Sequence, residues 1–311
     1  EALLERLIDF TIARDFPELA FEPDAAARRI RWFEEVCRRT AVLVAHWMRV
    51  GFVHGVMNTD NMSILGLTID YGPYGWVDDF DPEWTPNTTD AGGRRYRFGN
   101  QPYIAHWNLW QLANAIYPVV REVEPLERAL AMYAEVHDAS YRDMMRAKLG
   151  LAEWHKGEEG DDGLLGRLHR LLAAGEVDMS LFFRRLADVD PAAPSLEPLA
   201  EAFYDPSRRA GIEVELLAWL REHGARVLVE ELPPGARRVA MNRVNPLYVP
   251  RNYLAQQAID AAESGDTAEL ETLLEVLRRP YDEQPDRERF AARRPDWARD
   301  RPGCSMLSCS S

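Results

Sequence analysis

Lysine is almost missing from this chain. Of 37 basic residues among 311, only Lys148 and Lys156 are lysines, and 51 acidic residues bring the formal charge to −14. Without clustered positive charge the chain is poorly suited to nonspecific binding of nucleic acid or of an anionic membrane. Cysteine is scarce too. Cys37, Cys304 and Cys309 are too few for a disulfide scaffold and are not spaced with the histidines as metal ligands, which points to a reducing compartment. A membrane span would need about 18 uncharged apolar residues. The most apolar stretch, 40–57, is broken by His46, Arg49, Gly51 and His54, so no membrane insertion is expected. No charged-then-apolar leader opens the chain. It begins at Glu1 without a Met and is at once amphipathic (Leu3, Leu4, Leu7, Ile8, Ile12), and it reads as a piece of a longer protein. What is present, 46% hydrophobic and 28% charged residues, is the composition of a folded protein.

Helical periodicity dominates. After Pro23-Asp24, the residues Ile30, Phe33, Cys37, Ala41, Val44 and Met48 recur at intervals of three and four and form one apolar face, with Gly51 as the stop. Further helices are predicted over 103–116, 126–149, 164–174, 212–222 and 253–262. Asp266-Thr-Ala-Glu269 reads as a capping box opening one more. The interruption lies between Phe52 and Phe80, where the β-prone runs 52–53, 62–65 and 67–69 suggest a tight hairpin about Gly66. Residues 78–99 form a loop of about 20 residues, long enough to suggest function. Residues 155–163 read as a solvated loop. After Arg279 the chain turns rich in Pro, Arg and Asp and is expected to run extended over the surface.

The chemistry sits in His54-Gly-Val-Met-Asn-Thr-Asp60-Asn61 and, beyond the β-prone runs, Asp70-Tyr71-Gly72. The layout follows the protein-kinase catalytic loop, H-R-D-L-x-x-x-N, with its later D-F-G. His54 and Asn61 stand seven residues apart as that pattern requires. A metal-bound nucleotide needs hard oxygen ligands, and an amide carbonyl with a carboxylate can converge on the cations that bridge its phosphates. Asn61 and Asp70 suit those tasks. Val56 occupies the place of the kinase catalytic Asp, so an ordinary kinase mechanism is damaged, but Asp60 lies beside Asn61 and can replace the base from another direction. A kinase-like site also needs a Gly-rich phosphate loop and an upstream lysine; residues 1–53 contain neither.

These residues resemble the selenoprotein O family of kinase-fold proteins. The resemblance is carried by His54-Gly-Val-Met-Asn-Thr-Asp-Asn-Met-Ser-Ile, Thr68-Ile-Asp-Tyr-Gly-Pro-Tyr-Gly and Arg97-Phe-Gly-Asn-Gln-Pro with Trp107-Asn-Leu. Met241-Asn-Arg-Val-Asn-Pro-Leu-Tyr-Val-Pro-Arg-Asn, the terminal Cys309-Ser-Ser and the opening Asp15-Phe-Pro-Glu-Leu extend it over nearly the whole chain. The resemblance implies a mainly α fold: the large, C-terminal lobe of a protein-kinase-like fold, with a small active-site β-hairpin and additional C-terminal helices. Residues 1–279 would form that lobe with its helical extension, and 280–311 an extended tail. It further implies protein adenylylation, the transfer of AMP from ATP to Ser, Thr or Tyr hydroxyls of protein substrates, with Mg²⁺ or Mn²⁺ as cofactor. By position Asp60 becomes the proton acceptor and Asn61 and Asp70 the metal ligands, Asp70 also contacting the nucleotide. Some bacterial members pair their C-terminal Cys with a Cys in the activation loop. Here Cys309 is the possible redox residue, but Pro86, in Glu83-Trp-Thr-Pro-Asn-Thr-Thr-Asp90, stands where its partner is expected. The family's phosphate-holding residues belong to an N-terminal lobe that this chain lacks, so residues 1–311 alone are expected to be inactive.

Other readings compete at each position. Asp60, Asn61 and Asp70 could merely cap turns, and His54 is read as a brace for the catalytic loop rather than a base. Asp78, Asp79 and Asp81 read as a solvated loop or a further metal site. Arg94, Arg95 and Arg97 could meet phosphate, a protein substrate, or nearby acids. Cys37, Trp107, Trp110 and Trp219 read as core, and Cys304 could pair with Cys309. For the molecule, the alternative to an enzyme is a non-catalytic pseudokinase module binding nucleotide or a partner protein. Small-molecule phosphotransfer of the aminoglycoside-kinase kind is a third class, against which Val56 counts. An Arg-rich, Lys-poor composition suggests a GC-rich bacterial genome and hence the cytoplasm.

Overall fold

The computed structural model describes residues 1–230, 233–304, 306 and 307. Ten helices are assigned among them: α1 (Ala2–Asp15), α2 (Ala25–Val50), α3 (Gln101–Val120), α4 (Val123–Lys148), α5 (Asp161–Ala174), α6 (Met179–Leu186), α7 (Pro206–Leu228), α8 (Pro234–Asn242), α9 (Asn252–Glu263) and α10 (Ala268–Leu277). The fold is mainly α, as the periodicity predicts. Asp24 starts α2 by accepting from the Ala26 amide, and Gly51 ends it. The buried face of α2 contains Phe33, Cys37, Ala41 and Val44, four of the six residues that define its apolar period. Burying a side chain such as Phe33 stabilises the fold by about 1.5–3 kcal/mol.

Apolar residues gather into three clusters. One joins α1, α2, α3 and α4. A second joins the end of α4 with α5, α6 and α7. A third lies under α9, α10 and the C-terminal segment. The last corrects the expectation of an extended surface run after Arg279: Phe290, Ala298 and Cys304 are buried there, and short 3-10 turns at Glu288–Ala291 and Asp296–Ala298 carry the first two inward. Three further expectations fail locally. Residues 155–163 are not all solvated, because α5 begins at Asp161, a buried residue that accepts from the His155 amide. The capping box is not made; Glu269 is engaged by Arg289 and Asp266 accepts from the Ala268 amide. Trp110 is half exposed rather than core, whereas Trp219 and Cys37 are buried as predicted.

The tight hairpin about Gly66 is also absent. The one sheet among the described residues pairs β1 (Phe52–Val53) with β2 (Gly75–Trp76), antiparallel, with Phe52 opposite Trp76. Between them, Met62, Ile64 and Leu65 pack against the α2–α3–α4 cluster instead of against another strand. Gly66 adopts φ +69 against α2, and a Cβ there would stand 2.8 Å from that of Arg39. Burial on a helix face outcompetes local strand pairing, since an isolated two-stranded hairpin is marginal in water.

Candidate active site

The 21-residue excursion from β1 to β2 holds His54, Asp60, Asn61 and Asp70, whereas Cys309 lies outside the described residues. Its first part is irregular backbone whose polar groups need partners. Side-chain amides supply them in succession. Gln101, at the start of α3 and fully buried, donates to the Phe52 carbonyl (2.8 Å) and accepts from the His54 amide (2.9 Å). Asn87 donates to the carbonyl of Gly55 (3.1 Å), Asn61 to that of Val56 (3.0 Å) and Asn108 to that of Met57 (2.9 Å). Gly55 has φ +78, and a Cβ there would meet the Pro73 carbonyl oxygen at 2.2 Å. The loop is therefore held from four directions, by α3, by the 83–90 segment, by the residues before β2 and by its own Asn61.

His54 is buried and joins the two ends of the excursion. Its Nε2–H donates to the Ile69 carbonyl (2.9 Å), one residue before Asp70. Burial is the main influence on its basicity and pushes it down, against the opposing pull of the Ile69 carbonyl and the Asp70 carboxylate. It is a neutral brace. Asp70 itself has φ 56, and its carbonyl accepts from the Gly72 amide (2.8 Å). The left-handed turn projects residues 69–72 outward, and all four are exposed. A Cβ at Gly72 would lie 3.9 Å from Val56, so the Asp70 turn closes back over the same loop that Asn61 holds.

Asp60 and Asn61 share a 3-10 turn, Thr59–Asn61. Asp60 is exposed and its carboxylate makes no hydrogen bond or ion pair among the described residues, and the same holds for the carboxylate of Asp70. Because the Nδ2 of Asn61 is committed to Val56, its Oδ1 is left without a protein partner there. Two uncommitted carboxylates and one amide oxygen thus rise from backbone that is itself tightly held. No group of three or more His, Cys, Asp or Glu residues suited to a metal occurs among the described residues. The hard oxygens of Asn61 and Asp70 fit a Mg²⁺-type ion that takes its remaining ligands from phosphate and water.

The other candidates are occupied elsewhere. Asp78 is buried and pairs with the fully buried Arg251 (2.9 Å), which also binds Asp178 (2.7 Å); Asp79 pairs with Arg294 (3.0 Å). Asp78 and Asp79 are therefore taken up by arginines rather than by a metal, and Asp78 is not solvated. Burial raises the Asp78 carboxyl to about 6, the Arg251 charge opposing. Arg97 meets Glu83 (3.0 Å), while Arg94 and Arg95 are exposed and their guanidinium groups meet no carboxylate among the described residues. Lys148 is buried, its Nζ donating to the Arg49 carbonyl (2.9 Å) and standing 4.2 Å over Phe183. Leu307 donates to the Pro86 carbonyl and accepts from the Thr88 amide, so the C-terminal segment reaches the loop beside Gly55. Sequence reading missed the supporting amides. Asn252, whose side chain accepts from the Trp76 amide and donates to its carbonyl (3.0 Å each), was visible only as part of the 241–252 motif.

The comparisons with known proteins say which family carries this loop. The chain belongs to the family described as protein adenylyltransferase SelO, whose model matches residues 1–278. It is 64% identical over all of its 311 residues to the protein nucleotidyltransferase YdiU of Aromatoleum aromaticum, and 62% identical over 309 residues to that of an Azoarcus species. Against the YdiU of Xanthomonas axonopodis pv. citri the identity is 58% over 310 residues. The chain spans 58–59% of the length of these relatives.

Proposed function

We propose that this chain supplies the metal-binding and catalytic-loop half of a protein adenylyltransferase, built as the large lobe of a protein-kinase-like fold. Family membership and the naming of its relatives support nucleotidyl transfer. The observation that carries the assignment to particular residues is the pinned loop with Asp60, Asn61 Oδ1 and Asp70 left uncommitted above it. In this reading Asp60 takes the proton from a Ser, Thr or Tyr hydroxyl as its oxygen forms a bond to the α-phosphorus of ATP. The bond between that phosphorus and the bridging oxygen breaks, and pyrophosphate leaves. Asn61 and Asp70 would hold Mg²⁺ or Mn²⁺, which when bound supplies charge neutralisation for the triphosphate. Asp70 also orients the nucleotide, and His54 keeps Asp70 in register with the loop through Ile69.

Val56 favours a second reading, a non-catalytic module that binds nucleotide or a partner protein, because its side chain cannot serve as the base of a phosphotransfer loop. The experiment that separates the readings is incubation of the full-length protein with an acceptor protein and ATP labelled at the α or the γ position. Label retained only from the α position establishes adenylyl transfer. Label from the γ position indicates phosphotransfer, and no label with intact nucleotide binding indicates the non-catalytic module.

A further inference from the structure

One face of α3 breaks the rule that a helix hides its apolar residues. Its inner face (Ile104, Ala105, Leu109, Ala113, Ile116) is buried as amphipathicity requires. The opposite face presents Tyr103, Trp107, Trp110 and Tyr117, spaced four, three and seven apart and so aligned along one stripe. Tyr103 is 64% exposed, Trp110 50% and Tyr117 45%. At 1.5 Å per residue the stripe is about 21 Å long. It carries no acid or lysine.

The stripe begins at the candidate active site. The Arg95 guanidinium lies 4.6 Å from the centre of the Trp107 ring. Its backbone is fixed by Asp90, which accepts from its amide (2.8 Å), and by Asn100, which donates to its carbonyl (2.6 Å). The neighbouring Tyr96 donates through its hydroxyl to Asn58 (2.5 Å), two residues before Asp60. Arg95 and Tyr96 therefore link the stripe to the catalytic loop, with Arg94 next to them in the chain. Arg94 and Arg95 are exposed, and their guanidinium groups have no carboxylate partner among the described residues, in a chain whose net charge is −14.

Exposed aromatic residues with arginine are the composition of binding hot spots, and two guanidinium groups without an ion pair among the described residues select an acidic partner. The geometry points to a docking surface for the acceptor polypeptide: carboxylates of the acceptor meet Arg94 and Arg95, apolar side chains lie along Tyr103, Trp107, Trp110 and Tyr117, and the acceptor hydroxyl is delivered to Asp60. This inference rests on the adenylyl-transfer reading and names the chemistry of its acceptor.

The test uses the full-length protein and a fluorescent synthetic peptide with one Tyr, two adjacent Asp residues and a Leu-rich segment, together with its counterpart carrying Lys in place of both Asp. Fluorescence anisotropy should show the acidic peptide binding at least about tenfold more tightly. Arg95→Glu and the pair Tyr103→Ser with Trp110→Ser should each weaken it about tenfold. In transfer assays KM for the acidic peptide should rise about tenfold, with kcat within about twofold. Equal affinity for the two peptides, or wild-type affinity in both variants, overturns the proposal. So does a drop of several degrees in melting temperature with loss of activity toward every acceptor, which would mean that the protein's own remaining residues cover the stripe. Loss of a dimer in the variants would assign it to a second copy and overturn it too. A full-length protein that binds the acidic peptide through these residues yet transfers no α-label sustains the surface and rejects the enzymatic reading.

Discussion

At the scale of single residues, the difference between Asp60, Asp70 and Asp78 is one of surroundings. Asp78 is buried against Arg251, and removing Arg251 would leave Asp78 and Asp178 without the guanidinium they share in the interior. Asp60 and Asp70 lie in the open on a held backbone, so changing them should alter chemistry and spare folding. In the full-length protein, Asp60→Ala is expected to keep metal-dependent ATP binding and to lower adenylyl transfer by about 10² or more, the usual contribution of a general base. Asn61→Ala and Asp70→Asn should instead abolish metal-dependent ATP binding in calorimetric titration. Asn is the better replacement for Asp70, because it tolerates the left-handed backbone (φ 56) while removing the charge. Near-normal turnover in either variant, with an unchanged melting curve, would end the metal assignment. If Asp60→Ala loses ATP binding along with turnover, its role is positioning rather than proton transfer.

Between elements, the 241–252 motif works as a clamp on the segment that leaves the site. Asn245 donates to the Lys148 carbonyl at the end of α4, Arg251 joins Asp78 to Asp178, and Asn252 replaces a missing strand beside β2 by bonding both backbone groups of Trp76. Asn252→Ala leaves that amide and carbonyl unpaired. It should lower stability by about 1–3 kcal/mol, read from the urea midpoint. Transfer activity of the full-length protein should also fall, since β2 anchors the far end of the excursion that carries Asp70. A midpoint unchanged within error would show that water satisfies Trp76 equally well.

Over the whole molecule, burial of titratable groups sets how stability depends on pH. His223 is buried, stacked on Trp219, and its Nε2–H donates to the Leu149 carbonyl; burial lowers it from 6.5 to about 4. On acidification the unfolded chain takes up that proton first. The contribution is therefore complete above about pH 6.5 and is lost as pH falls toward 4, by up to about 3 kcal/mol. Asp78 acts with the opposite sign: raised to about 6, it binds its proton in the folded state before the unfolded one and adds stability as pH falls from about 6 toward 3.8. The histidine shift is the larger. The urea midpoint should fall between pH 7 and 5, and the His223 ring resonance should not titrate above pH 5. A midpoint that rises over that range would refute the assignment.

The chain's extent matters at the same scale. Its two lysines are a buried cap on the α2 carbonyls and a residue of the 155–160 loop, so neither serves as a phosphate anchor by the catalytic loop. Positioning and charge neutralisation dominate phosphoryl-type transfer. Residues 1–311 alone are therefore expected to bind ATP weakly and to transfer no detectable α-label to an acceptor protein, with activity appearing in the full-length protein. Robust labelling by 1–311 that disappears in Asp70→Asn would show the site to be complete within these residues.

Periodicity, capping residues and short-range spacing are local properties, and the sequence by itself determined what depends on them: a mainly helical chain, the bounds of α2 at Asp24 and Gly51, the buried face of that helix, and a loop in which His54, Asp60, Asn61 and Asp70 are set close together. Tertiary structure decided the rest. The 62–69 run has strand propensity, yet it lies on α2 because burying Met62, Ile64 and Leu65 there outweighs a two-residue ladder. The segment after Arg279 has little periodicity, yet Phe290 and Cys304 find a core beneath α9 and α10. Gln101, Asn108 and Asn252 act on backbone 47 to 176 residues away, and Trp110 is exposed although its spacing matches the core. No local pattern encodes such partners, because the free energy of a buried amide or of an uncovered aromatic ring depends on which distant segment the fold brings beside it.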